Sequence, residues 1–339
     1  MTLRRVGELG LVRRIRELAG GATAGVLTGI GDDAAVLSLT PGASLLATTD
    51  LLIEDVHFRR STAGPRDLGW KAMAVNLSDI AAMGGTPRYA LVALAVPAGT
   101  ALPDVEAFVE GMREAAAPHG VAIVGGDTSA SPERWFVNVT LLGEHEGAAK
   151  LRSAARPGDA VAVTGSLGRS AAGLAVLEAG AERARAAGAG AAVEEMARAH
   201  LRPCARVAEG RWLGREPAVH AMIDVSDGLA TDLGHICRES GVGARVHLDR
   251  LPVAPGVLEL ARALGRDPVD WAAAGGEDYE LLLTCAPEAA DALARGLRKA
   301  TGTALTVVGQ VVAAAPEVTW LGPDGAPVAV RAGYEHFGG

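Results

Sequence analysis

Gly29-Ile30-Gly31-Asp32-Asp33-Ala34-Ala35 sets two glycines around an isoleucine, follows them with two adjacent carboxylates and closes on small residues. Glycine permits a tight turn and a close backbone approach to a ligand. Two acids side by side repel one another, by about 4 kcal/mol at ~4 Å near a protein surface unless water or a cation intervenes. Taken alone, the stretch reads as a solvated turn with two exposed acids. Matching settings recur, however. Asp50 ends Ser44-Leu45-Leu46-Ala47-Thr48-Thr49-Asp50, Asp127 ends Val121-Ala122-Ile123-Val124-Gly125-Gly126-Asp127, and Asp224 and Asp227 lie in Met222-Ile223-Asp224-Val225-Ser226-Asp227-Gly228. Each follows a short apolar run, so the carboxylates stand at strand ends, where they can converge. Converging carboxylates call for a hard cation, and Mg2+ is the usual one where a phosphate supplies further ligands.

The 339 residues suffice for two domains of ordinary size. Apolar content of 49% and charged content of 21% fit a folded, soluble chain. The net charge of −8 opposes nucleic-acid binding by phosphate neutralisation, but not nucleotide binding through metal ions. Cys204, Cys237 and Cys285 are single and widely spaced, which reads as reduced core thiols in a cytoplasmic protein. The N-terminal arginines are interleaved with Glu8 and Glu17 and do not read as a secretory signal. No run approaches the roughly 20 apolar residues of a membrane span, so no membrane partner is expected.

Along the chain, Val6, Leu9, Leu11, Val12, Ile15 and Leu18 predict an amphipathic helix over 3–19, stopped by Gly20-Gly21. Strands are expected at 26–30, 34–38 and 44–49. A helix over Pro65–Met83, capped by Asp67 and ended by Gly84-Gly85, follows. Asn76 and Asp79 share one face of it, as a solvent-facing edge or as a metal or ligand contact. Strands at 88–97, 121–124 and 135–142 and a helix at 102–119 complete an α+β domain over 1–148. The polar, turn-rich stretch 150–159 marks the start of a second domain over 149–339. There a strand at 160–164 runs into Gly165-Ser166-Leu167-Gly168, whose backbone N–H groups could hold an anion, although the P-loop ending is missing. Helices are expected at 180–198, 203–213, 229–240, 258–264 and 289–301, and strands at 241–248, 305–312 and 318–321. Gly275-Gly276-Glu277-Asp278-Tyr279-Glu280 leads from a glycine turn into one more strand.

The chemistry narrows by elimination. No Gly-x-Ser-x-Gly elbow is present, and the eight histidines are scattered, against a serine hydrolase and a zinc hydrolase. A glycosidase needs two carboxylates, whereas this chain offers a surplus that suits a polyphosphate held by several Mg2+ ions. Gly29–Ala35, Thr48-Thr49-Asp50, Asn76–Gly84, Gly125-Gly126-Asp127-Thr128, Ile223–Leu229, Gly275–Leu281 and Gly333-Tyr334-Glu335-His336-Phe337, in that order, resemble the thiamine-monophosphate kinase family of the aminoimidazole ribonucleotide synthetase superfamily.

That resemblance implies a two-domain α/β (α+β) protomer. Its N-terminal mixed-sheet domain binds metal and ATP and pairs in a homodimer; its C-terminal domain is α/β. It implies ATP-dependent phosphorylation of thiamine monophosphate to thiamine diphosphate by direct transfer, with no side chain assigned as acid, base or nucleophile. Asp32, Asp50, Asp79, Asp127 and Asp224 resemble the Mg2+ ligands, with Thr48, Thr49 and Asp227 alongside. Gly126, Asp127, Arg152 and Ser226 resemble the ATP contacts, and His57, Glu277 and Tyr334 the contacts to the thiamine moiety. The residue chemistry agrees: Arg152 is a fixed fork for phosphate oxygens, Glu277 answers a cationic amine, and Tyr334 offers a ring face. Arg169 departs from the family, which commonly has an acid after Gly-Ser-Leu-Gly. Rival readings are an amidine-forming ATP-dependent ligase, a selenophosphate-type synthetase, whose N-terminal reactive Cys this chain lacks, and a nucleotide- or metal-binding module without turnover.

Overall fold

The computed structural model of the chain describes residues 1–20, 23–31 and 33–334. It divides into two units, Met1–Ile80 with Gly85–Ala148, and Ala81–Gly84 with Ala149–Gly339. Asp32, and the Glu335-His336-Phe337 end of the last motif, lie outside the described residues.

In the first unit the expected N-terminal helix is broken by Gly7, at φ 72°, into α1 (Leu3–Val6) and α2 (Glu8–Ala19). A short antiparallel pair, β1 (Val26–Thr28) and β2 (Val36–Leu37), precedes β3 (Ser44–Ile53). Then come α3 (Pro65–Ala82), β4 (Thr86–Pro97), α4 (Leu102–Ala116), β5 (Ala122–Ser131) and β6 (Phe136–His145). The sheet runs β3-β6-β4-β5 and is mixed, with β4 and β5 parallel. β3 does not stop at Thr49, because its ladder with β6 continues to Ile53 opposite Phe136. β5 likewise runs on through Gly125-Gly126-Asp127, past the expected end at Val124. A Cβ on Gly126 would lie 1.9 Å from the Val92 carbonyl oxygen, so this glycine answers a close neighbouring strand.

α3 starts at Pro65, whose fixed φ suits a first helical turn. Asp67 is therefore not the cap; it lies inside the first turn, where its charge complements the helix dipole. Two glycines let α3 and α4 cross closely: a Cβ on Gly69 would stand 1.9 Å from the Phe108 carbonyl oxygen, and one on Gly111 1.9 Å from that of Arg66. Opposite residues of a ladder share a face. Thr48, Asp50 and Leu52 thus lie with the fully buried Leu141, Val139 and Val137, and Thr49 and Leu51 with Thr140 and Asn138 on the other face.

The second unit is built from β7 (Ala160–Thr164), α5 (Arg169–Ala175), α6 (Ala181–Ala186), α7 (Gly190–Leu201), α8 (Val207–Gly214), β8 (Val219–Asp224), α9 (Leu229–Ser240) and β9 (Gly243–His247). It continues with α10 (Pro255–Leu264), α11 (Pro268–Ala274), β10 (Leu281–Cys285), α12 (Ala290–Thr301), β11 (Leu305–Val312), β12 (Val318–Leu321) and β13 (Pro327–Val328). Its sheet has the order β13-β12-β9-β11-β7-β10-β8 and is antiparallel except between β9 and β12. The single helix expected over 180–198 is two, parted near Gly188 at φ 87°. β7 and β10 are buried along their whole length, and Leu229, Leu233 and Ile236 of α9 pack into the same core.

Gly111→Ala should destabilise the first unit by about 1–3 kcal/mol, the usual range for an added methyl without room. A lowered urea midpoint would check this, and an unchanged midpoint would contradict the close crossing.

Candidate active site

β3 delivers Thr48 and Asp50 to the helix-covered face of its sheet, and α3 delivers Asp79 to meet them. The Thr48 hydroxyl donates to Asp79 Oδ2. Asp50 Oδ2 is buried and accepts no hydrogen bond. Burial, followed by the charge of Asp79 and a hydrogen bond with it, pushes the Asp50 carboxyl up to about 7. An all-oxygen group with an orphaned buried acceptor fits a hard cation such as Mg2+. Asn76 is fully buried and donates to the Ala72 carbonyl at 3.0 Å, so this face of α3 is not a solvent edge. The Thr49 hydroxyl belongs to the opposite face, where it accepts from Asn138 Nδ2 at 2.9 Å and donates to the Val139 carbonyl at 3.2 Å.

Asp127 stands apart from this group. The row through Asp50 continues across Val139 and Val92 to Gly126, three strand spacings or ~14 Å away. Gly126 and Asp127 instead line a cavity of about 230 Å3 whose other walls include Val92, Phe108, Met112 and Ile123. His57 follows β3 and accepts from the Ile53 N–H through Nδ1 at 3.0 Å. Its proton is thereby assigned to Nε2, which becomes the ring's donor.

In the second unit one turn collects the expected residues. β8 ends at the buried Asp224, and the turn 225–228 leads into α9. The Glu277 N–H donates to the Ser226 carbonyl at 2.7 Å, the Tyr279 N–H to that of Val225 at 2.9 Å, and the Val225 N–H to that of Glu280 at 2.8 Å. The Tyr334 N–H donates to the Asp227 carbonyl at 3.0 Å, and the Gly333 N–H to the Thr231 hydroxyl at 3.0 Å. Asp224, Ser226, Asp227, Glu277 and Tyr334, which are scattered over 111 positions of sequence (224 to 334), are thus tied to one backbone segment.

Two residues the sequence reading did not single out join them. Asp232 and His235 sit three apart on α9, and one ligand atom from each of Asp227, Asp232 and His235 lies within 4.8 Å of the others. Asp232 Oδ2 accepts the Asp227 N–H at 3.1 Å. Burial first, then the charges of Asp224 and Asp227, raise its carboxyl to about 8. Burial, then Arg238 and Arg152, lower the His235 pKa. Arg152 is exposed on a short 3-10 turn, its carbonyl held by the Ser240 hydroxyl at 2.8 Å. The signal was available as Asp227-x4-Asp232-x2-His235, an acid at a turn followed by two ligand types on the first turns of a helix.

The glycine-rich turn does not present its N–H groups to an outside anion. Gly168 N–H donates to Asp278 Oδ2 at 2.6 Å and Ser170 N–H to Asp278 Oδ1 at 2.9 Å. Glu280 accepts from the Thr164 hydroxyl at 2.7 Å and takes the Arg206 fork at 2.6 and 2.7 Å. The anions are the chain's own. Burial drives the Asp278 carboxyl up to about 7 against the bonds from Ser170 and Gly168. Burial opposes the charge of Arg206, but Glu280 more than offsets it and raises the Arg206 pKa. Arg169 reaches Glu195 of α7 at 3.4 Å.

Asp50 and Asp127 lie within β3 and β5 and not at strand ends as expected, while Asp224 does end β8; two such domains, each carrying a crowded set of acids, define a class. The AIR synthase related protein N-terminal domain matches residues 31–145, and the AIR synthase related protein C-terminal domain matches residues 156–321. The thiamine-monophosphate kinase of Bacillus subtilis (strain 168) is 40% identical over 261 residues, covering 77% of this chain and 78% of its own. The thiamine-monophosphate kinase structure from Stenotrophomonas maltophilia K279a is 38% identical with a TM-score of 0.81, over 95% of this chain and 98% of that one. The solved complex described as "AaThiL complexed with AMPPCP and TMP" is 33% identical with a TM-score of 0.77, over 99% of each chain. The chain belongs to the thiamine-monophosphate kinase family. Among the described residues no helix is long and apolar enough to cross a membrane.

The raised carboxyls fix a sign for pH dependence. The folded protein keeps protons that the unfolded chain releases near the ordinary carboxyl value of 3.8, so metal-free stability falls as pH rises from about 4 towards 7 for Asp50 and 8 for Asp232. A tenfold difference in proton affinity between folded and unfolded chain is worth at most ~1.4 kcal/mol. In EDTA, Asp50→Asn should gain thermal midpoint relative to the unsubstituted protein as pH rises from 4 to 7. A difference between the two midpoints that does not change with pH would contradict the crowding.

Proposed function

We propose that this chain transfers the γ-phosphoryl group of ATP to the phosphate of thiamine monophosphate, releasing ADP and thiamine diphosphate. One observation carries the reading: the turn 225–228 ties together acids suited to metal-bound phosphate, Asp224 and Asp227, and groups suited to an aromatic cation, Glu277 and Tyr334. A phosphate oxygen of the acceptor forms a bond to the γ-phosphorus while the bond to the β-phosphate oxygen breaks. That nucleophile is already ionised, so no side chain need remove a proton, and positioning and charge neutralisation do the catalysis.

Asp32, Asp50, Asp79, Asp127, Asp224 and Asp227, with Thr48 and Thr49, are assigned to Mg2+. These side chains would hold the ions, which would supply charge neutralisation for the phosphate groups. Gly126, Asp127, Arg152 and Ser226 are assigned to ATP, with its base against the apolar walls of the cavity beside Gly126. Arg152 meets phosphate oxygens bidentately. His57, through Nε2–H, and Glu277 and Tyr334 are assigned to thiamine monophosphate. Residues 1–148 act as the metal, ATP and pairing domain, and residues 149–339 as the α/β domain. The working form is a homodimer: Leu45, Leu51 and Phe136 stand exposed on one face of the four-stranded sheet and suit a second copy. The free thiols, Cys237 and Cys285 buried and Cys204 exposed instead of in the core as expected, suit the cytoplasm.

ADP release measured with and without thiamine monophosphate tests the reaction. ADP formed with an amide substrate and not with thiamine monophosphate would favour a ligase, and ATP binding without turnover would favour a regulatory module. Leu51→Glu should halve the particle mass in light scattering; an unchanged mass would remove this face from the interface.

A further inference from the structure

We propose that His200, at the end of α7, is a positioning residue that fixes the Glu277 carboxylate for an amine-bearing substrate. This deepens the reading above and rests on Glu277 contacting that substrate. His200 is buried, and its Nδ1 lies 3.2 Å from Glu277 Oε2 and 2.9 Å from the hydroxyl of the buried Ser170. The helices that carry Ser170 and His200 are locked together. A Cβ on Gly173 of α5 would meet the Met196 carbonyl at 2.1 Å and the His200 Cβ at 2.8 Å. Glu277 occupies a left-handed backbone conformation, φ 66°, anchored by its N–H to Ser226.

The geometry assigns the ring's proton. A lone pair on Nδ1 would face the carboxylate at 3.2 Å and repel it, so Nδ1 carries the hydrogen and shares it between the Ser170 hydroxyl oxygen at 2.9 Å and Glu277 Oε2 at 3.2 Å. It also disposes of a hydrolytic triad. In a triad the acid and the nucleophile use different imidazole nitrogens, whereas Glu277 and Ser170 meet the same one. What His200 does is compete. Glu277 also lines a cavity of about 140 Å3 walled by Arg169, Arg198, Arg202 and Arg206. A carboxylate released from His200 has guanidinium groups within the same cavity to turn towards, and it is then lost as an acceptor for a substrate amine.

The test uses the full-length protein with His200→Leu, His200→Asn, Glu277→Gln and the double variant His200→Leu/Glu277→Gln. His200→Leu should raise the KM for thiamine monophosphate about tenfold or more, the scale of one charged hydrogen bond, with the KM for ATP within about twofold. His200→Asn restores an N–H near the Nδ1 position and should recover most of the loss. In the Glu277→Gln background His200→Leu should add nothing. The 15N shifts of the His200 ring should report Nδ1 protonated in the unsubstituted protein and a change on Glu277→Gln, whatever the substrate. Equal rises in both KM values, full additivity, or an unprotonated Nδ1 overturns the proposal. If the unsubstituted protein leaves thiamine monophosphate unchanged, the functional reading fails and the ring shifts alone decide on His200. If His200→Leu does not fold, His200→Asn and the shifts decide.

Discussion

Three backbone hydrogen bonds between residues 225–226 and 277–280 hold the second unit's site in shape. They are short, 2.7 to 2.9 Å, and they cross between a β8 turn and the segment entering β10. Closing this ladder forces Glu277 to φ 66° and Tyr279 to φ 51°. Left-handed conformations in non-glycine residues cost about 1–3 kcal/mol each and persist where the surroundings over-determine them. Here the surroundings are the Glu280 carboxylate, buried between Thr164 and Arg206, and the Asp278 carboxylate on the N–H groups of Gly168 and Ser170. Asp278 and Glu280 anchor the segment, and the Glu277 carboxylate reaches His200 at 3.2 Å.

A chain of net charge −8 that handles polyanions must treat its acids in two ways. Asp159 shows the structural way. It accepts from Arg156 N–H at 3.0 Å, from the Thr284 hydroxyl at 3.0 Å and meets His220 Nδ1 at 2.9 Å, so its lone pairs are spoken for inside the protein. Asp50 shows the other. It is held against a second carboxylate, and one of its buried oxygens accepts nothing. Buried polar groups are normally satisfied, so Asp159 is an acid whose bonds stabilise the fold, whereas Asp50 keeps a buried acceptor open, as the proposed cation site requires.

Periodicity made most elements legible. Apolar spacing placed α9 and β11 with their observed bounds and α3 within a residue. It failed where tertiary contact overrode local punctuation. Gly125-Gly126 looks like a stop, yet the parallel neighbour β4 extends the strand through it. Gly165–Gly168 looks like an anion cradle, but only the fold reveals that Asp278, 108 to 110 positions away, fills it. The residues of the candidate site were legible as a list of motifs. Their grouping was not: nothing local says that Thr48 turns to Asp79 while Thr49 turns to Asn138, since that follows from the pleat of β3 against β6. Asp232 and His235 were overlooked because a helix with period 3.6 and an acid every few residues is also what any solvated helix shows.

Phosphate-to-phosphate transfer places an unusual demand on such a site. With an ionised acceptor oxygen, proton transfer gives no leverage, and rate depends on bringing two mutually repelling anions into line. Recognition of the organic part of the acceptor must then be converted into placement of its phosphate. A backbone connection is the stiffest way to do this. The Asp227 carbonyl receives the Tyr334 N–H, and the Ser226 carbonyl receives the Glu277 N–H, while the Asp227 N–H is itself fixed by Asp232. Groups suited to an aromatic cation therefore move with the turn that bears groups suited to metal-bound phosphate.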